Sequence, residues 1–128
     1  MAPRFNLIGL VVADITKSAA FYRKLGLDVP DGDDHVEVTL PGGLRIAWDA
    51  VDVIKSFEPD WTAPSGGHRV GLAFECASPA EVDSTFKEFT AAGHAGVKEP
   101  WDAFWGQRYA IVEDPDGNHV ELFAGLAS

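Results

Sequence analysis

Apolar and polar residues alternate with two different periods along this chain, and each change of period marks a new element. Phe5 to Ala13 is an almost unbroken apolar run, with Leu7, Gly9 and Val11 on one face and Ile8, Leu10 and Val12 on the other. This predicts a strand covered on both faces. Asp14 is placed to cap a helix, along which Ile15, Ala19, Tyr22 and Leu25 form an apolar stripe until Gly26 closes it. From His35 to Leu40 the period returns to two, with His35, Glu37 and Thr39 opposite Val36, Val38 and Leu40. Pro41, Gly42 and Gly43 then turn the chain into a strand from Leu44 to Asp49, whose Trp48 is expected under the helix with Leu44 and Ile46.

No period is sustained from Ala50 to Gly67, and Pro59, Pro64, Ser65, Gly66 and Gly67 mark a linker. The pattern then begins again. His68 to Ala77 reads as a strand, and Ser78, Pro79 and Glu81 combine a capping box with proline at the first helical position. Val82, Phe86 and Phe89 stripe this second helix, which Gly93 ends. Beyond a stretch rich in Gly, Pro and Trp, Tyr109, Ile111 and Glu113 alternate with Ala110 and Val112 before Asp114, Pro115, Asp116 and Gly117 reverse the chain. Pro115 presets a turn angle, the two aspartates can accept from nearby backbone N–H groups, and Gly117 can take a left-handed conformation. On the return strand Val120 and Leu122 face one way, while His119, Glu121 and Phe123 make a mixed face of the kind that binds ligands.

Set side by side, Gly9 to Gly26 and Gly71 to Gly93 follow one plan: Gly-Leu, apolar strand, short cap, helix, glycine. The chain therefore reads as an internal duplication within one α+β domain spanning residues 1–128. Two tandem βαβββ modules, about 4–50 and about 68–125 with a linker at about 51–67, are expected to form a curved mixed sheet around a cleft. Each module leaves one sheet face to be covered, so a homodimer is expected.

Composition narrows the partners. Ten Lys and Arg against 20 Asp and Glu leave a formal charge of −10, which repels phosphate backbones and anionic lipid, so neither nucleic acid nor a membrane is an expected partner. The single Cys76 reads as a small buried apolar residue and, with no disulfide partner, points to a reducing cytoplasm. The start of the chain lacks the long apolar run of a secretory leader, and no stretch is long enough to cross a bilayer. No nucleophile elbow, phosphate loop or dinucleotide fingerprint occurs.

Two motifs, Asp14, Ser18, Phe21 and Tyr22 around the first helix and the Asp-Pro-Asp-Gly-Asn turn at 114–118, give the chain its resemblance to the vicinal oxygen chelate superfamily. That group includes glyoxalase I, extradiol dioxygenases and bleomycin resistance proteins, and the resemblance covers nearly the whole chain. For the metal-dependent members it implies four ligands facing the cleft, which fall here on Leu7, Ala47, Gly71 and Glu121. Three of these offer no donor atom, and a tightly held divalent ion needs about three protein ligands of nitrogen or oxygen type. No metal and no other cofactor is therefore expected, and the resemblance is nearest the metal-free, bleomycin-resistance-like branch.

The candidate ligand-binding residues are Leu7, His35, Glu37, Ala47, Asp49, Gly71, Glu75, Trp101, Trp105, Arg108, Tyr109, Ile111, Glu121 and Phe123. Trp105 and Tyr109 offer aromatic faces to a flat or cationic molecule, and Arg108 a fork for acidic or carbonyl groups. His35 and Glu37, with Asp49, Glu75 or Glu121, are an alternative donor set for a metal; the simpler account is hydrogen-bonded polar residues lining the cleft. His68 stands an odd number of residues before Gly71, so in an unbroken strand it points to the wrong face to replace the missing histidine. The function expected is sequestration of an antibiotic or another planar or cationic small molecule. The alternative is a glyoxalase- or dioxygenase-like lyase, isomerase or oxygenase, with an altered metal site or with Glu121 as base.

Overall fold

A computed structural model describes residues 2–127. The chain divides into two compact units, Met1–Ser65 and Gly66–Ser128. Unit 1 runs β1 (Leu7–Val12), α1 (Ile15–Arg23), β2 (His35–Thr39), β3 (Arg45–Ala50) and α2 (Val51–Lys55). Its sheet has the order β1-β3-β2, with β1 parallel and β2 antiparallel to the central β3. Asp14 caps α1 by accepting the Lys17 N–H at 3.1 Å. One sheet face carries Leu10, Val12, Val36, Ile46 and Trp48, all buried, together with Ile15, Ala19 and Tyr22 of α1. The Tyr22 and Trp48 rings meet with centroids 5.3 Å apart, as expected for a tryptophan under the helix. On the other face Leu7 and Val11 are only half-buried and Gly9 is exposed, so the cover expected on both sides of β1 is found on one.

Unit 2 runs β4 (Gly71–Glu75), α3 (Pro79–Ala91), β5 (Gly96–Ala103), β6 (Gln107–Glu113) and β7 (His119–Gly125), with sheet order β4-β7-β6-β5. β4 pairs in parallel with β7, and the other pairs are antiparallel. Ser78 Oγ accepts the Glu81 N–H at 3.2 Å and Glu81 reaches back to the Ala77 N–H, starting α3 as its sequence predicts. Val82 and Phe89 are buried along with Ala110, Val112, Val120, Leu122 and Ala124, the inward-facing residues of the hairpin. The protein is thus mixed α and β, as expected; among the described residues its strands form two sheets, one in each unit, where a single curved sheet was expected.

The two units repeat the same parallel pair, β1-β3 and β4-β7, but among the described residues unit 2 alone has a fourth strand, so only it is βαβββ. In unit 1 the residues between α1 and β2 include Asp28, Pro30, Asp31, Gly32, Asp33 and Asp34, a composition poor in strand formers, and they stay irregular. β5 went unread in the sequence because its pairing with β6 shifts register at Gly96/Lys98 and again at Lys98/Trp101, which destroys the period of two. α2 lies inside the expected linker; its N-cap Ala50 makes no side-chain bond and none of its residues is buried, so neither helix signal was present.

Candidate functional site

Each sheet has one face packed on its helix and one left partly open, and strand register decides which candidate residues share the open one. In unit 1 the pairs Leu7↔Arg45, Gly9↔Ala47, His35↔Asp49 and Glu37↔Ala47 bring Leu7, Ala47, Asp49, His35 and Glu37 together. A polar chain crosses this face. His35 Nδ1 lies 2.5 Å from Asp49 and Nε2 3.0 Å from Glu37, while Arg45 donates to Glu37 at 2.8 Å and to Asn6 at 2.7 Å. Ionised carboxylates only accept, so both ring nitrogens must donate and the geometry is that of an imidazolium. Hydrogen bonding to Asp49, then to Glu37, raises the His35 pKa; Arg45, then His35, hold that of Glu37 down. Asn6 and Arg45 were not among the expected residues, although Arg45 alternates in phase with Ala47 and Asp49.

In unit 2 the pairs Gly71↔His119, Ala73↔Glu121, Glu75↔Phe123, Tyr109↔Phe123, Ile111↔Glu121 and Trp101↔Tyr109 gather seven candidates on one face: Gly71, Glu75, Trp101, Tyr109, Ile111, Glu121 and Phe123. Tyr109 donates its hydroxyl proton to Glu121 Oε1 at 2.5 Å. Burial, then the Glu121 carboxylate, push the Tyr109 pKa up to about 12, so the phenol stays protonated at neutral pH. A Cβ built on Gly71 would overlap Glu121 Oε2, so the carboxylate lies where a side chain at that position would begin. Among the described residues Oε2 has no hydrogen-bond partner.

Aromatic rings border this carboxylate. Trp105 stands edge-to-face to Tyr109 at 5.3 Å and to Trp101 at 5.9 Å, Trp101 to Tyr109 at 5.7 Å, and Tyr109 stacks towards Phe123 at 6.2 Å. Trp105 Nε1 donates to Gln107 at 2.8 Å, which fixes the indole, yet 48% of the residue stays exposed. Arg108 is elsewhere. Alternation turns it to the helix side, where Nε bonds Asp83 of α3 at 2.9 Å and Nη1 bonds Asp102 at 3.2 Å. Both acids raise its pKa, and it pins α3 to the sheet instead of meeting the open face.

Residues 4–122 match the Glyoxalase/Bleomycin resistance protein/Dioxygenase superfamily. The chain belongs to this superfamily. It is 26% identical over 132 residues to the uncharacterized protein YwbC of Bacillus subtilis (strain 168), covering 96% of this chain and 98% of that one. Among solved structures, a glyoxalase/bleomycin resistance protein/dioxygenase from Nocardioides is 26% identical, with a TM-score of 0.76 over 100% of this chain and 87% of that one. A superfamily enzyme from Burkholderia phytofirmans PsJN, 19% identical, has a TM-score of 0.82 over 97% of this chain and 100% of its own, a likeness of fold.

Against the superfamily's metal-dependent pattern, the residues present do not fit a divalent ion. Leu7 and Ala47 share a face in unit 1 but bring no donor, and at Gly71 the space for a ligand is taken by the Glu121 carboxylate itself. Glu121 is the single oxygen donor among the four positions, and one of its oxygens is held by Tyr109. Among the described residues no group of three or more His, Cys, Asp or Glu side chains is arranged to hold a metal. In unit 1 the His35 ring lies between the Asp49 and Glu37 carboxylates with both nitrogens engaged, which suits hydrogen bonding and leaves no lone pair for a metal.

One further pair lies on the unit 2 face, outside the residues expected from the sequence. The His68 and His119 rings stack with centroids 3.4 Å apart and planes 17° apart. His119 was visible as a residue in phase with Glu121. An unbroken strand would put His68 on the opposite face, but β4 begins only at Gly71 and the irregular backbone before it breaks the alternation.

Proposed function

We propose that this protein binds a small planar organic molecule, neutral or cationic, on the open face of the unit 2 sheet and holds it without chemical change. The observation that carries this reading is Glu121: a carboxylate with one oxygen fixed by Tyr109 and the other unpartnered, bordered by Trp101, Trp105, Tyr109 and Phe123. Aromatic rings favour flat ligands, and a carboxylate beside them favours a cation or an N–H donor. Superfamily membership adds the precedent of bleomycin resistance, from which sequestration of an antibiotic is the form of the proposal. A cytoplasmic homodimer belongs to the same reading. No helix among the described residues is long and apolar enough to cross a membrane.

A second reading makes the protein a lyase, isomerase or oxygenase relative in which Glu121 is the base. It is favoured by the unpartnered Oε2 beside a phenol that remains a proton donor at neutral pH. Titration of the tryptophan fluorescence with planar amines and antibiotics tests the binding proposal. Trp105→Ala should weaken binding by about two- to thirtyfold. A protein that binds only anions, and binds them equally well as Trp105→Ala, contradicts it; turnover abolished by Glu121→Gln favours the enzyme.

A further inference from the structure

The stacked histidines stand beside Glu121 and are not used by the reading above. His119 lies two residues before Glu121 on the same strand face, opposite Gly71, where Glu121 Oε2 occupies the place a side chain would take. His68 comes from the irregular run ahead of β4, is exposed, and meets His119 face to face at 3.4 Å. Among the described residues it makes no side-chain hydrogen bond, ion pair or further ring contact. His119 Nδ1, by contrast, is buried without a hydrogen-bond partner. A ring face beside an unpartnered carboxylate oxygen, covered by one exposed imidazole from an irregular segment, has the features of a stacking subsite occupied by the protein's own side chain.

We propose that His68 is an intramolecular stand-in for the ligand, and that a planar nitrogen heterocycle stacks on His119 in its place and donates an N–H to Glu121 Oε2. This rests on the binding function proposed above and narrows its ligand class to flat heteroaromatic rings bearing an amino or ring N–H donor. The displaced His68 returns to water, where its polar ring is well solvated.

Proflavine, a flat diaminoacridinium, is a suitable probe, with fluorescence polarisation as the readout. Removing the competing imidazole in His68→Ala should tighten proflavine binding by about two- to tenfold, and removing the platform in His119→Ala should weaken it by a similar factor. Circular dichroism establishes that both variants are folded. Equal affinities for the native protein and His68→Ala, or weaker binding by His68→Ala, overturn the stand-in while leaving the binding function intact. Absence of binding to both proteins overturns the stand-in and the planar-ligand reading together.

Discussion

His35 shows how a single residue ties pH to the stability of unit 1. Its raised pKa comes from Asp49 and Glu37 accepting both of its protons, so the stabilisation exists only while the ring is charged. Below the ordinary value of 6.5 the ring is charged in folded and unfolded chains and the contribution is complete; it is lost as pH rises through the raised folded value. Glu37 behaves oppositely: its contribution is present above 4.5 and lost as pH falls through the lowered folded value. The His35 side chain is 46% exposed, so solvent screening keeps the effect modest. Thermal unfolding between about pH 6 and about pH 9 should show Tm falling further in the native protein than in His35→Asn; parallel falls would contradict the assignment. This network was only half legible. The alternation placed His35, Glu37 and Asp49 on one face, but whether they would line up as a metal site or satisfy one another depends on rotamers that spacing does not encode. Glu121 and Tyr109 were legible for the same reason of phase, whereas Arg108 was misplaced by being grouped with its neighbours in sequence instead of by its parity on β6.

At the scale of elements, the β6–β7 turn was legible because each of its residues has a local task. Asp114 is buried; Oδ1 accepts the N–H groups of Asp116 at 2.9 Å and Asn118 at 2.8 Å, and Oδ2 accepts from the Asn118 amide at 2.8 Å. Gly117 takes a φ of 87°, the left-handed region for which a residue lacking Cβ is suited. Replacing Asp114 by Ala leaves those donors without their charged acceptor and should cost about 1.5–3 kcal/mol. Because the turn sets the register that aligns Tyr109 with Phe123 and Ile111 with Glu121, ligand binding should weaken in step. Urea unfolding checks the first effect, and a loss below about 0.5 kcal/mol would show that the turn does not depend on Asp114. β5 and α2 lacked such local signals. The strand is bulged twice and the helix buries nothing, so each is specified by its surroundings and not by its own pattern.

For the whole molecule, the repeated strand–helix plan and the two motifs at residues 14–22 and 114–118 made the superfamily legible from the sequence, and the match over residues 4–122 shows it. The stacked pair of His68 and His119 was less accessible, because His68 reaches the open face only through a break in strand geometry. The donor set predicts that calorimetry with zinc, nickel or manganese gives no one-per-chain binding. One ion per chain, lost in Glu121→Ala, would instead favour the enzymatic reading. The central claim, that the open face of unit 2 binds a planar ligand at Glu121, is met most directly by nuclear magnetic resonance during a proflavine titration. The account predicts that the indole signals of Trp101 and Trp105 and the backbone signals of Tyr109 and Glu121 move together and saturate, while the indole of Trp48, fully buried in unit 1, stays in place. Saturable shifts confined to the helix side around Arg108 and Asp83, with the signals of Trp105 and Glu121 unmoved, would contradict it.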